Sequence, residues 1–207
     1  MSASRPAGRF LEWLEGARSA VIGSAGSDVP CDGCTACCES SQFVHIAPDE
    51  VDALARIPAQ LLFPAPGLPD GHVLLGYDER GRCPLLGDDG CTVYDVRPRT
   101  CRTYDCRVFV AAGVEPEASQ PAVAARVREW SFDEPGPDDR AAHDAVRAAA
   151  AFLAGRPEAL PDGRPPATAT QLAVLAVEAS ELFRDGRPGT TEVRVALGRR
   201  RGGELRS

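Results

Sequence analysis

Four of the eight cysteines in this 207-residue chain, Cys31, Cys34, Cys37 and Cys38, fall inside the eight-residue stretch CDGCTACC. The other four, Cys83, Cys91, Cys101 and Cys106, follow at spacings C-x7-C-x9-C-x4-C. A two-residue gap between cysteines lets the backbone curl until both sulfurs face one centre, so C-x-x-C recurs in zinc and iron–sulfur sites. Here that gap occurs twice in succession. Cys37 and Cys38 are adjacent, and neighbouring side chains diverge in most backbone conformations. At least one of the first four is therefore expected to face a second centre or to serve another role.

Charge does not choose the metal. Four thiolates around Zn²⁺ and four around an oxidised four-iron, four-sulfur cluster leave the same net negative charge. In either case a nearby cation or N–H donor stabilises the sulfurs. Arg97, Arg99, Arg102 and Arg107 lie in the stretch that carries Cys91, Cys101 and Cys106. Arg97 and Arg102 are taken as neighbours of the sulfurs, and Arg99 and Arg107 as surface partners of acids such as Asp95 and Asp105.

Three other readings of the cysteines fit less well. Adjacent cysteines resist bridging to each other, and the first residues lack the unbroken apolar run of a secretory leader, which argues against a disulfide framework. A thioredoxin-like pair follows a buried strand, whereas GSAGSDVP precedes this one. Unconnected core cysteines would not cluster. His45, seven residues beyond Cys38, is open as an additional ligand but in FVHI reads as a half-buried strand residue, whereas His72 and His143 lack ligand spacing to the cysteines. Glu39, Asp49 and Glu50 are possible oxygen donors, but acids at a helix start are common for electrostatic reasons alone.

The rest of the chain must position these sulfurs. Apolar spacing predicts a helix over 8–22, a linker to Pro30, a short strand in SQFVHI, and a helix opened by Pro48-Asp49-Glu50 and closed by Pro58. A second strand is expected in HVLLGY. Pro98 pushes Arg97 toward an extended conformation, so VRPRTCR is a turn with set side-chain directions. Beyond Cys106 the pattern turns helical over 121–130, 137–155 and 168–186. VRVAL (193–197) alternates like an edge strand, and GRRRGGELRS reads as a tail.

The expected fold is mainly α, with irregular cysteine-rich loops and a few short strands, in one small domain. Its parts are an N-terminal helix and linker (1–30), a cysteine-cluster region (31–110), a helical remainder (111–198) and an Arg-rich flexible tail (199–207). The net charge of −7 argues against general affinity for nucleic acid or anionic membrane. All 23 basic residues are arginine, a compositional bias from which no function follows. A cytoplasmic location is expected, where thiols stay reduced.

In combination, CDGCTACC, CPLL, CTVYDVRPRTCR and a final cysteine resemble the YkgJ-type cysteine-cluster family, also called the CxxCxxCC or zinc- or iron-chelating domain. The resemblance runs from Cys31 to Cys106. It implies that all eight cysteines are metal ligands, that Tyr94, Arg97, Pro98 and Arg102 occupy its other motif positions, and that the partner is zinc or iron, with a 4Fe-4S cluster as one form. Similar clusters occur in flagellin lysine methylases, so an iron–sulfur or iron-dependent enzyme stands as the alternative to a largely structural metal site. A module presenting its arginine tail to a protein or nucleic acid is a third reading.

Overall fold

The computed structural model describes residues 4–21, 27, 29 and 33–204, with backbone alone described from 200 onward. Among the described residues helix accounts for 49% and strand for 12%, in short sheets, as the composition and periodicity lead one to expect. The elements in order are β1 (Arg5–Arg9), α1 (Phe10–Val21), β2 (Val44–Ile46), α2 (Val51–Arg56), β3 (Leu62–Pro64), β4 (Val73–Leu75), β5 (Leu86–Gly87) and β6 (Gly90–Cys91). They continue with α3 (Arg99–Thr103), α4 (Arg107–Ala112), α5 (Pro121–Val127), β7 (Trp130–Asp133), α6 (Pro137–Ala154), α7 (Ala169–Ala179) and α8 (Thr190–Glu204). The chain divides into two compact units, one made of residues 1–25, 105–117 and 124–207, the other of 26–104 and 118–123.

The first unit is helical. α6 packs on α7, α4 and α1, and α4 on α7. Each helix buries one stripe: Val146, Ala149 and Leu153 of α6, Leu175 and Val177 of α7, Phe109 of α4 and Phe10 of α1 are all essentially inaccessible. Pro137 starts α6, where the missing N–H costs nothing, and Asp138 and Asp139 follow in the first turn. The Thr168 hydroxyl accepts the Gln171 N–H (3.0 Å) and so caps α7. Phe10 touches Trp13 and Phe132 and lies against His143, centroids 4.2 Å apart.

Two features here differ from the sequence expectation. A parallel pair, β1 before α1 with β7 between α5 and α6, was not anticipated. VRVAL is not an edge strand; it lies inside α8, which runs on to Glu204 through residues assigned to the tail. Val193 and Leu197, four apart, are fully buried, while Val195 is 45% exposed. The pattern satisfies both a period of two and an i, i+4 pair, and packing of α8 on α7 selects the helix.

The second unit holds the antiparallel sheet β2-β4-β3. One face, with Val44, Ile46, Leu62, Val73 and Leu75, packs on Ala53 and Ile57 of α2 and on Leu85 and Val93. Cys83 and Cys91 lean on the same cluster.

Buried ions tie the helical unit together. The Asp139 carboxylate, wholly inaccessible, accepts Arg9 Nε (3.0 Å) and the Leu11 N–H (3.2 Å). The hydrogen bond from Arg9 holds its pKa below the usual carboxylate range against the opposing effect of burial. A depressed folded-state pKa contributes stability above the unfolded value of about 3.9 that is lost as pH falls below it. Wild type is therefore expected to lose stability between pH 5 and pH 2 more steeply than Asp139→Asn, which starts less stable at pH 7; denaturant midpoints across that range check this. Phe10→Ala is expected to cost about 3–5 kcal/mol by the same measurement.

Candidate metal centre

Cys37 and Cys38 sit on a single 3₁₀ turn, Ala36–Glu39. The Cys38 N–H donates to the Thr35 carbonyl (2.8 Å), the Thr35 hydroxyl to Glu39, and the buried Ser40 hydroxyl to the Ala36 carbonyl (2.6 Å). Two backbone bonds then clamp this turn to the segment before Pro84. The Ser41 N–H donates to the Gly81 carbonyl (2.9 Å), and the Cys83 N–H to the Cys38 carbonyl (2.7 Å). Gly81 itself terminates a tight turn in which Asp78 accepts the Arg80 and Arg82 N–H groups. Its φ of +75° suits glycine, and a Cβ there would stand 2.2 Å from the Ser41 hydroxyl.

The third and fourth sulfurs come from a hairpin and a short helix. Cys91 pairs with Leu86 across β5–β6, turned through Gly90 at φ +110°. Cys101 lies on α3, started by Pro98 after an extended Arg97 (φ −56°, ψ 144°), as the X-Pro step predicts. α3 is anchored from several sides. Glu50, largely buried, accepts the Arg99 N–H with one oxygen and the Ala47 N–H with the other. Asp49 pairs with Arg99 (2.6 Å), and the Thr100 hydroxyl donates to the His45 carbonyl (2.7 Å).

Glu39, Asp49 and Glu50 are thus engaged by protein donors. The sequence offered Glu50 only as a possible oxygen donor at a helix start; its role in positioning a helix 49 residues later was not anticipated.

The sulfurs feel one another. A hydrogen bond from the Cys38 thiol holds the Cys37 pKa below the ordinary thiol value and pushes that of Cys38 up. The tight turn brings these two sulfurs together, where divergence was expected. Burial raises Cys83, with Cys91 and Cys37 adding to it. Cys101 keeps an exposed outer surface, yet desolvation of its thiol and the charges of Cys37, Cys83 and Cys91 push it up to about 12. Arg97 opposes this by lowering both Cys37 and Cys101. Its guanidinium is fixed 4.0 Å over the Tyr94 ring and donates to the Tyr94 carbonyl (3.0 Å).

Cys34, Cys37, Cys38, Cys83, Cys91 and Cys101 are free thiols, and Cys34 is half-buried. Cys31 lies outside the described residues. Cys106, at the start of α4 in the helical unit, accepts the Trp130 indole N–H (3.2 Å). Arg102 is exposed, and its carbonyl accepts the Ser27 N–H. His143 is buried, with Glu134 on one ring nitrogen and the Val110 carbonyl 3.5 Å from the other.

Residues 30–122 match the family model CxxCxxCC, whose description is "Putative zinc- or iron-chelating domain". Over that segment the chain is similar to the CxxCxxCC family. No curated protein and no solved structure matches the chain. The donor set of the CxxCxxCC segment fits the family's metal chemistry, because crowded, partly buried thiols gain most from a soft or borderline cation. Among the described residues no three His, Cys, Asp or Glu side chains are already closed on a point that would hold an ion. The sulfurs are gathered without being locked.

Gly81→Ala is expected to destabilise the protein by about 1–3 kcal/mol through its left-handed backbone and the Ser41 contact. Combining it with Ser41→Ala should recover the part due to the contact and leave the backbone part, as a double-mutant cycle in denaturant would read.

Proposed function

We propose that the 31–106 segment binds zinc or iron through cysteine thiolates and that the bound metal is at least partly structural. What supports this reading is one observation. Sulfurs from the 3₁₀ turn, the Cys83 loop, the β5–β6 hairpin and α3 lie within electrostatic reach of one another. Cys37, Cys38, Cys83, Cys91 and Cys101 form the gathered set; Cys31, Cys34 and Cys106 stand as further ligands on sequence grounds, and Arg97 as the cation that stabilises the thiolates.

Such a site supplies folding free energy, because the ligand geometry does not exist in an unfolded chain. The elements around it are short: α2 and α3 have six and five residues, and the strands two or three. They draw little stability from their own length.

A second reading is favoured by the number of sulfurs. Five exceed the four of a closed tetrahedral zinc site, which leaves room for an iron–sulfur or iron centre serving a redox or protein-modifying enzyme. The protein is proposed to work in the cytoplasm; no helix among the described residues is long and apolar enough to cross a membrane.

Protein purified without air is expected to carry stoichiometric zinc or iron by elemental analysis, and its visible spectrum separates a colourless zinc site from an iron–sulfur one. Cys83→Ser and Cys101→Ser should each lower the metal content and open residues 26–104 to protease. Fully metal-loaded, protease-resistant variants would overturn the proposal.

A further inference from the structure

The β2-β4-β3 sheet buries only one face. On the other, His45, Leu74 and Phe63 line up across the three strands, and Phe43 and Tyr77 lie exposed with their rings 5.0 Å apart. His72 immediately precedes β4, and its Nδ1 stands 2.9 Å from His45 Nε2. The two ring planes differ by 10° and their centroids are 5.1 Å apart. Parallel rings stacked face to face keep their atoms about 3.5 Å or more apart, so a 2.9 Å nitrogen contact means the rings meet edge to edge. The two ring nitrogens therefore face each other across one proton, in an N–H···N hydrogen bond whose donor is set by the tautomer, and a metal ion is the other species that such a pair of nitrogens binds.

The surroundings suit a cation. Gly71, at φ +90°, lies so close to the preceding loop that a Cβ there would be 3.2 Å from Pro48 Cβ, and this brings the Asp49 loop beside His72. The Asp49 carboxylate acts electrostatically on the same neighbourhood, since His72 helps to lower its pKa. Both histidines are half-buried and reachable by solvent. Neither belongs to the hydrophobic cluster beneath the sheet. Strand register is already set by the backbone ladder and by the apolar inner face. An imidazole pair is not needed to hold the sheet.

We propose that His45 and His72, with Asp49 beside them, form a second metal site for a zinc-like divalent cation, built on imidazole and chemically distinct from the thiolate centre. Tetrahedral coordination with bonds of about 2.0–2.1 Å spaces two donor nitrogens about 3.3 Å apart, so the rings separate by about half an ångström and turn to converge. Each ring keeps its proton on the nitrogen away from the metal: Nδ1 of His45 and Nε2 of His72. Asp49 keeps one oxygen on Arg99 and contributes its charge from beside His72. The site takes Zn²⁺ only after the thiolates are filled, because sulfur binds it more tightly.

The test uses the full chain with its cysteine centre already loaded. Further Zn²⁺ is titrated while histidine ring-nitrogen signals are followed by NMR at constant pH. One additional equivalent is expected to shift His45 and His72 and to leave His143 unmoved, since that ring is occupied by Glu134 and the Val110 carbonyl. His45→Gln and His72→Gln should each weaken the additional equivalent at least about tenfold while leaving thiolate-bound metal unchanged. Should the wild-type rings respond to pH but not to zinc, or should the additional equivalent survive in both variants, the proposal is overturned. The wild-type titration decides by itself if a variant fails to fold.

Discussion

Thiolates repel one another, and moving them out of water makes the repulsion stronger. Much of the second unit is arranged around that conflict. Cys83 and Cys91 rest on the cluster of Ile46, Leu75, Leu85 and Val93, so the apolar core that steadies the sheet also desolvates the sulfurs. Cys101 is lifted by desolvation and by three neighbouring sulfurs, while Cys37 is held down by a hydrogen bond from Cys38 and by Arg97. A metal ion resolves the conflict in a single step by replacing protons with a shared positive charge. Without it, the unit must keep protons on most of its sulfurs.

The scaffold answers with backbone hydrogen bonds and engaged carboxylates. The Ser41–Gly81 and Cys83–Cys38 bonds set the spacing of two ligand segments with no side chain involved. Glu50 and Asp49 spend their charge on Arg99 and on loop N–H groups at the start of α3, which fixes Cys101 and keeps the acids from competing as oxygen ligands. Selection of a soft or borderline metal follows from that division of labour. The open sheet face a few residues away offers the opposite donor chemistry, imidazole with a carboxylate. The helical unit uses charge differently again: a buried Asp139 held by the exposed Arg9, and a largely buried Asp105 with Arg107, brace α1, β1 and α4.

The elements legible from sequence were those whose periodicity had one solution. α6 and α7 carry apolar residues at three- and four-residue spacing; α6 forms within one residue of its expected bounds, while α7 starts where expected and gives way after Ala179 to a 3₁₀ turn over Ser180–Phe183. VRVAL had two solutions. Val193 and Leu197 fit either a strand or a helix, and only the neighbouring α7 surface distinguishes them. The β1–β7 pair joins residues about 125 apart, a contact that no local pattern announces. The adjacent cysteines were expected to diverge because that holds for most backbone conformations, and the 3₁₀ turn is one where it does not.

The sequence by itself determined the donor chemistry. Residue type and spacing are enough to point the clustered thiols of CDGCTACC and CTVYDVRPRTCR toward metal chemistry, because ligand preference is a property of the sulfur atom and C-x-x-C geometry is local. Tertiary structure alone decided which sulfurs are neighbours, that Arg97 reaches them, that Glu50 holds α3, and that His45 meets His72. Those facts depend on segments tens of residues apart being pressed together by a shared apolar core, and the energy that does so is spread over the whole unit rather than written at any one position.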